Sequence, residues 1–181
     1  AYPDILDVDG HLVISKDLKD ADRVTIVTYG GSGHEPAQAG FVGKGMLDVQ
    51  AVGDIFAAPS GQLVFEAMKL ADKGHGVLLL TLNYAGDQLA CKQAIKLAKK
   101  AGMNFRQVVT GEEIQFDPNG EDNQRGLAGA IALYHVEELT PEAKDFGADL
   151  IKENCKVYVI DDKELERVRR SYPVLWRRKN R

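Results

Sequence analysis

Cysteine is scarce in this 181-residue chain: Cys91 and Cys155 are the only two, and no Cys-x-x-Cys pair exists. That excludes a disulfide framework and a thiolate metal knuckle, and it points to a reducing, cytoplasmic compartment. Four histidines, His11, His34, His75 and His135, are scattered without His-x-x-x-His spacing, so no zinc-type site is legible. No apolar run approaches the roughly 20 residues a membrane helix needs, and nothing at the start resembles a signal peptide. Nucleotide motifs are missing too. A phosphate loop needs glycine, four residues, Gly-Lys and then Ser or Thr, but Gln38 stands where the first glycine belongs and Gly45 follows Lys44. The Gly-x-Ser-x-Gly elbow fails at His34, and Pro36 takes the place of the third glycine of a dinucleotide fingerprint.

What is present reads as one globular domain. Hydrophobic residues make up 44% and charged residues 28%, enough to bury a sizeable core and too apolar for wholesale disorder. The net charge of −4 is unevenly spread. Lys163–Arg181 carries eight basic residues against Glu164 and Glu166, a surplus of six that leaves the rest of the chain at −10. A solvated terminal helix and tail is the simplest account of that segment, with Leu175-Trp176 packing on a surface; nucleic acid is not an expected partner. The division is therefore an α/β domain over residues 1–160 and a basic tail over 161–181.

Val24–Thr28, Val77–Leu82, Phe105–Thr110 and Val157–Ile160 are short and carry β-branched or apolar residues on both faces, as buried parallel strands do. Gln62–Lys73, started by Pro59-Ser60 and stopped by Gly74, has amphipathic helical spacing, as does Gln88–Ala101 with Leu89, Ala94, Ile95, Leu97 and Ala98 inward and Gly102 as its stop. Further helices are expected from Asp122 or Asn123 and from Pro141. Strand–helix alternation predicts a mostly parallel, possibly mixed, doubly wound sheet with helices on both faces.

Chemistry concentrates after the first core strand. Gly30-Gly31-Ser32-Gly33-His34-Glu35-Pro36 offers backbone N–H groups as a nest for an oxyanion and one titratable imidazole, with Pro36 suited to the first turn of a helix. Asn83-Tyr84-Ala85-Gly86-Asp87 follows the apolar strand Val77–Leu82. In a parallel sheet both bends open at the carboxyl rim, where ligands bind. His34 and Asp87 can then face one cavity as an acid/base pair. A carboxylate after a strand equally well caps the next helix, and that reading of Asp87 stays open. His75 reads as a turn residue and His135 as the cationic end of a helix.

Five blocks now stand in order: Gly30–Ala37, Gly40–Leu47, Gly53–Ser60, Gly76–Leu80 and Asn83–Asp87, extended by Arg125–Gly129. Together, over roughly residues 1–135, they resemble the substrate-binding subunit or domain of the dihydroxyacetone kinases. The resemblance implies phosphoryl transfer to a hydroxyl of a small hydroxyketone, with ATP, or a nucleotide held as coenzyme, on a separate nucleotide-binding kinase subunit and no cofactor bound directly by this chain. It implies His34 as the acid/base histidine, Asp87 as the catalytic carboxylate, and Gly30, Gly31, Ser32, Gly33 and Asn83 around the substrate, Gly31 matching a glycine whose backbone touches it. A non-catalytic, ligand-sensing relative is the alternative. The chain departs from the family at Leu82, where a lysine is usual, at Tyr29, where a leading glycine is usual, and at Ala85, where a threonine is usual. The family also holds its ketone as a covalent hemiaminal on a histidine of a second domain, and no other histidine here matches that motif. A fragment, a partner that supplies the rest, or loss of the covalent step would each account for this. Self-association into a homo-oligomer is expected from the apolar surface a missing domain leaves.

Overall fold

A computed structural model describes residues 2–111 and 125–126. The chain opens with an antiparallel hairpin, β1 (Leu6–Asp9) and β2 (Leu12–Ser15). It continues through β3 (Thr25–Ser32), β4 (Val49–Ile55), α1 (Gly61–Ala71), β5 (Val77–Leu82), α2 (Ala85–Lys100) and β6 (Phe105–Thr110). These strands form one mixed sheet in the order β1-β2-β4-β3-β5-β6. β2 pairs antiparallel with β4, whereas β3 pairs parallel with both β4 and β5, and β5 with β6. The expected α/β sheet is thus present in its mixed form. The helices expected from residues 122 and 141 onward, Val157–Ile160, His135, Cys155 and the basic tail lie outside the described residues.

Side-chain alternation along the strands divides the core. Val27, Tyr29, Val49, Ala51, Val77 and Leu79 face one side and meet Val64, Ala67, Met68 and Ala71 of α1 and Ala90, Cys91, Ala94 and Ala98 of α2. Ile26, Leu78 and Leu80 face the other side, beneath Val42 and Leu47. Ser60 starts α1 by accepting a hydrogen bond from the Leu63 N–H at 3.2 Å, an N-cap typically worth about 1 kcal/mol. The two helices approach closely: a Cβ placed on Gly61 would lie 2.6 Å from the Ala90 carbonyl oxygen. Only small residues fit such a seam. The expected inward face of α2 is corrected accordingly, for Ala90 and Cys91 are buried in it while Leu89 is 72% exposed.

At the amino end of β3 a buried ion pair ties the sheet to its flank. The Asp48 carboxylate, fully buried, accepts both terminal nitrogens of Arg23 at 2.7 and 2.8 Å and the Ile26 backbone N–H at 2.8 Å. This bidentate geometry compensates two desolvated charges with directed bonds.

Two local expectations fail. β3 does not break at Gly30 but runs on to Ser32, with a register shift against β4 between Gly30 and Ser32. Nor does Pro36 open a helix: residues after it form turns and a single 3-10 turn at Ala39–Phe41, with cis peptide bonds before Pro36 and before Gln38. The segment from 36 to 47 carries Val42 and Leu47 down onto the sheet instead, so its apolar residues follow the sheet surface rather than a helical period.

Candidate functional site

The strand order reverses at β3. β4 lies to one side of it, and the chain returns through α1 to place β5 on the other. The carboxyl ends of β3 and β5 are therefore neighbours at a topological switch point, the place where open α/β sheets leave a crevice. The glycine-rich loop leaves β3 there, and Asn83–Asp87 leaves β5 there.

Each predicted residue can be placed. Gly30 and Gly31 are buried near the carboxyl end of β3, Ser32 is half-buried at its last position, and Gly33 and His34 are exposed. Gly31 has no room for a side chain, because a Cβ would sit 2.7 Å from the Ala57 backbone nitrogen. Gly33 adopts a φ of +96°, a conformation glycine takes without steric cost. Its N–H donates to the Glu35 carboxylate at 3.0 Å. That bond is the main cause holding the Glu35 carboxyl below its ordinary value. The expected oxyanion nest thus already faces an anion of the chain's own, since Glu35 lies two residues downstream and folds back onto it.

His34 Nδ1 lies 2.8 Å from the Ala37 carbonyl oxygen. A carbonyl only accepts, so Nδ1 carries the hydrogen and Nε2 is the ring nitrogen left to meet a ligand. The His34 ring is tilted against Phe56, centroid to centroid 6.3 Å. Phe56 is 75% exposed and holds a φ of +53°, the one non-glycine residue in that region among those described.

Asp87 is half-buried in the first turn of α2. It is not the helix cap that one reading of the sequence allowed: Tyr84 occupies that position, without a side-chain cap bond. Asn83 precedes it, accepting from Gln88 Nε2 at 3.1 Å and giving its own N–H to the Thr110 carbonyl at 3.1 Å. Burial pushes the Asp87 carboxyl up from an ordinary 3.8 to about 6, and the charge of His34 pulls in the opposite direction. The imidazole and the carboxylate are therefore within electrostatic reach, although 53 positions separate them in sequence. A carboxyl that titrates near neutrality beside an imidazole can accept a proton from a bound hydroxyl.

Reading the sequence missed two contributors. Phe56 lay within the Gly53–Ser60 block, with no motif to single it out as a neighbour of His34. Tyr29, noted only as a departure, puts its hydroxyl 2.9 Å from the Asp87 carbonyl oxygen; only the pairing of β3 with β5 reveals that.

Comparison with known proteins yields consistent matches. A family model described as the Dak1 domain matches residues 1–152. The PTS-dependent dihydroxyacetone kinase 1, dihydroxyacetone-binding subunit DhaK, of Listeria innocua is 38% identical over 137 residues, covering 75% of this chain and 42% of that protein. The corresponding DhaK subunit of Lactococcus lactis is 32% identical over 192 aligned positions, covering 92% of this chain and 58% of that protein. Among solved structures, the dihydroxyacetone kinase of C. freundii in its native form superposes with a TM-score of 0.70 at 33% identity, covering 83% of this chain and 28% of that one. The chain spans about half the length of the curated relatives it matches.

Proposed function

Because the chain belongs to the Dak1 domain family, we propose that it is the ketone-binding half of a cytoplasmic phosphotransferase. In this reading a small hydroxyketone such as dihydroxyacetone lies at the switch point between His34 and Asp87. Gly31, Ser32 and Asn83 line the rim, and a nucleotide-binding partner subunit carries the phosphoryl donor. The observation that carries the reading is the placement of His34 and the half-buried Asp87 on the loops that leave β3 and β5 at the carboxyl rim of the sheet, within electrostatic reach of each other.

The chemistry follows from those two side chains. Above pH 6 Asp87 is ionised and takes the proton of the substrate hydroxyl as that oxygen bonds to phosphorus. His34, held through Nδ1 by Ala37, presents Nε2 to the substrate and fixes its orientation. In phosphoryl transfer, positioning and charge management supply most of the rate, so a pair that only orients and deprotonates one hydroxyl is a sufficient half-site. The donor supplies the phosphoryl group from outside this chain. Among the described residues no three His, Cys, Asp or Glu side chains gather as a metal holder.

The test is turnover of dihydroxyacetone by the chain together with a donor subunit, with ATP and with a phosphotransfer relay as alternative sources. His34→Ala and Asp87→Ala should each abolish product while circular dichroism and melting temperature show an intact fold. Unchanged turnover in either variant removes the assigned role. Binding of dihydroxyacetone without product under any donor would replace the kinase reading with a ligand-sensing one.

A further inference from the structure

We propose that Tyr29 is a positioning residue: its buried hydroxyl holds the first turn of α2 against β3 and so sets the spacing between His34 and Asp87. This deepens the reading of Asp87 as the proton acceptor and rests on it.

Tyr29 immediately precedes Gly30 on the strand that delivers the His34 loop, and it is fully buried. Its hydroxyl reaches two partners, the Asp87 backbone carbonyl at 2.9 Å and Thr81 Oγ1 on β5 at 3.1 Å. One hydroxyl hydrogen cannot serve both. The carbonyl can only accept, so the Tyr29 hydrogen goes to Asp87; Thr81 gives its own hydrogen to the Tyr29 oxygen at 3.1 Å in preference to Cys91 Sγ at 3.5 Å, the longer contact and weaker acceptor. Gln107 Nε2 on β6 then donates to Thr81 Oγ1 at 3.2 Å and to Cys91 Sγ at 3.0 Å. The donors run in one direction, from β6 through β5 to β3, and end on the backbone carbonyl of Asp87, whose carboxyl feels the charge of His34. Every polar group in this chain of contacts is satisfied, which in a low-dielectric core makes it rigid rather than costly.

The placement has a consequence specific to this chain. α2 has no side-chain cap bond at Tyr84; a local bond runs from Gln88 Nε2 to Asn83 Oδ1. Tyr29 adds a restraint from the sheet, directly on the Asp87 carbonyl. Its ring fills the core and its hydroxyl orients, and these two roles separate in one substitution: Tyr29→Phe keeps the ring and deletes only the hydroxyl.

The experiment is carbon-13 titration of the Asp87 carboxyl in the 181-residue chain and in Tyr29→Phe, with Asp87→Asn assigning the resonance. A loosened first turn admits water to the carboxyl, so the midpoint should fall from about 6 toward the ordinary carboxylate range, while Glu35 does not move. With a donor subunit present, kcat for dihydroxyacetone should drop about tenfold or more with KM changed less than about threefold. A midpoint identical to that of the parent chain overturns the proposal, whatever happens to turnover. A parent chain without turnover counts against the kinase reading alone, and the midpoint still decides the role of Tyr29. Thr81→Val, which removes the hydroxyl facing Tyr29, replaces the phenylalanine variant if that does not fold. It should move the midpoint the same way by less, and no movement overturns the proposal equally.

Discussion

Asp87→Asn should make the protein more stable above pH 6 and no different well below the ordinary carboxylate value of 3.8. The carboxyl titrates near 6 in the folded chain against an ordinary 3.8. Each pKa unit corresponds to about 1.36 kcal/mol, so the full displacement amounts to about 3 kcal/mol. Asp87 keeps part of its surface in water and sits in the first turn of a helix, where a negative charge is favoured by roughly 0.3–1 kcal/mol. Discounting for both leaves a penalty of about 1–2 kcal/mol. Well below 3.8 the group is protonated in folded and unfolded chains alike and contributes nothing. Between about 4 and 6 the unfolded chain releases the proton first, so stability falls as pH rises; above 6 the full penalty is present. Asparagine, close in shape and without charge, escapes it. For a chain of this size the gain is about 2–8 °C in melting temperature at pH 7.5, read by scanning calorimetry across pH 4 to 8. An asparagine variant that is equally or less stable at pH 7.5 refutes the argument that burial, rather than an unrecognised partner, sets this carboxyl's titration.

Gly31→Ala forces a Cβ to within 2.7 Å of the Ala57 nitrogen, and the backbone displacement should cost about 1–3 kcal/mol, seen as a lower urea midpoint with unchanged slope. Asp48→Ala removes the acceptor of both Arg23 nitrogens and of the Ile26 N–H; chemical denaturation should show a loss of about 3–5 kcal/mol without any change in the Asp87 titration. If Asp87 is the proton acceptor, turnover in the presence of a donor subunit should rise through an apparent pKa near 6, and a profile flat from pH 5 to 8 would remove it from that role.

The sheet was legible where a strand is buried on both faces, as at Val77–Leu82, which Gly76 precedes and Asn83 follows. Phe105–Thr110 keeps its expected bounds but not its expected burial, because it is the edge strand of the described sheet and leaves Arg106 and Val109 exposed. Helix positions were legible to within a few residues, but helix faces less so. Leu89 looks inward by period, yet the α1–α2 seam admits only residues as small as Ala90 and Cys91. The segment from 36 to 47 has apolar residues without a period because it lies on the sheet as loop, so no local rule identifies its path. The two polar side chains of the candidate site stood out because each follows a core strand. Tyr29 did not: a tyrosine inside a strand reads as core, and its hydroxyl acquires meaning only from a carbonyl 58 positions away.

The proposed proton transfer needs an imidazole and a carboxylate to meet across the gap between β3 and β5. The Asp87 titration in His34→Ala measures that encounter directly. The cationic form of His34 favours the ionised carboxylate, so its removal should raise the Asp87 midpoint above about 6. A midpoint that stays where it was would mean that the two side chains do not share a site.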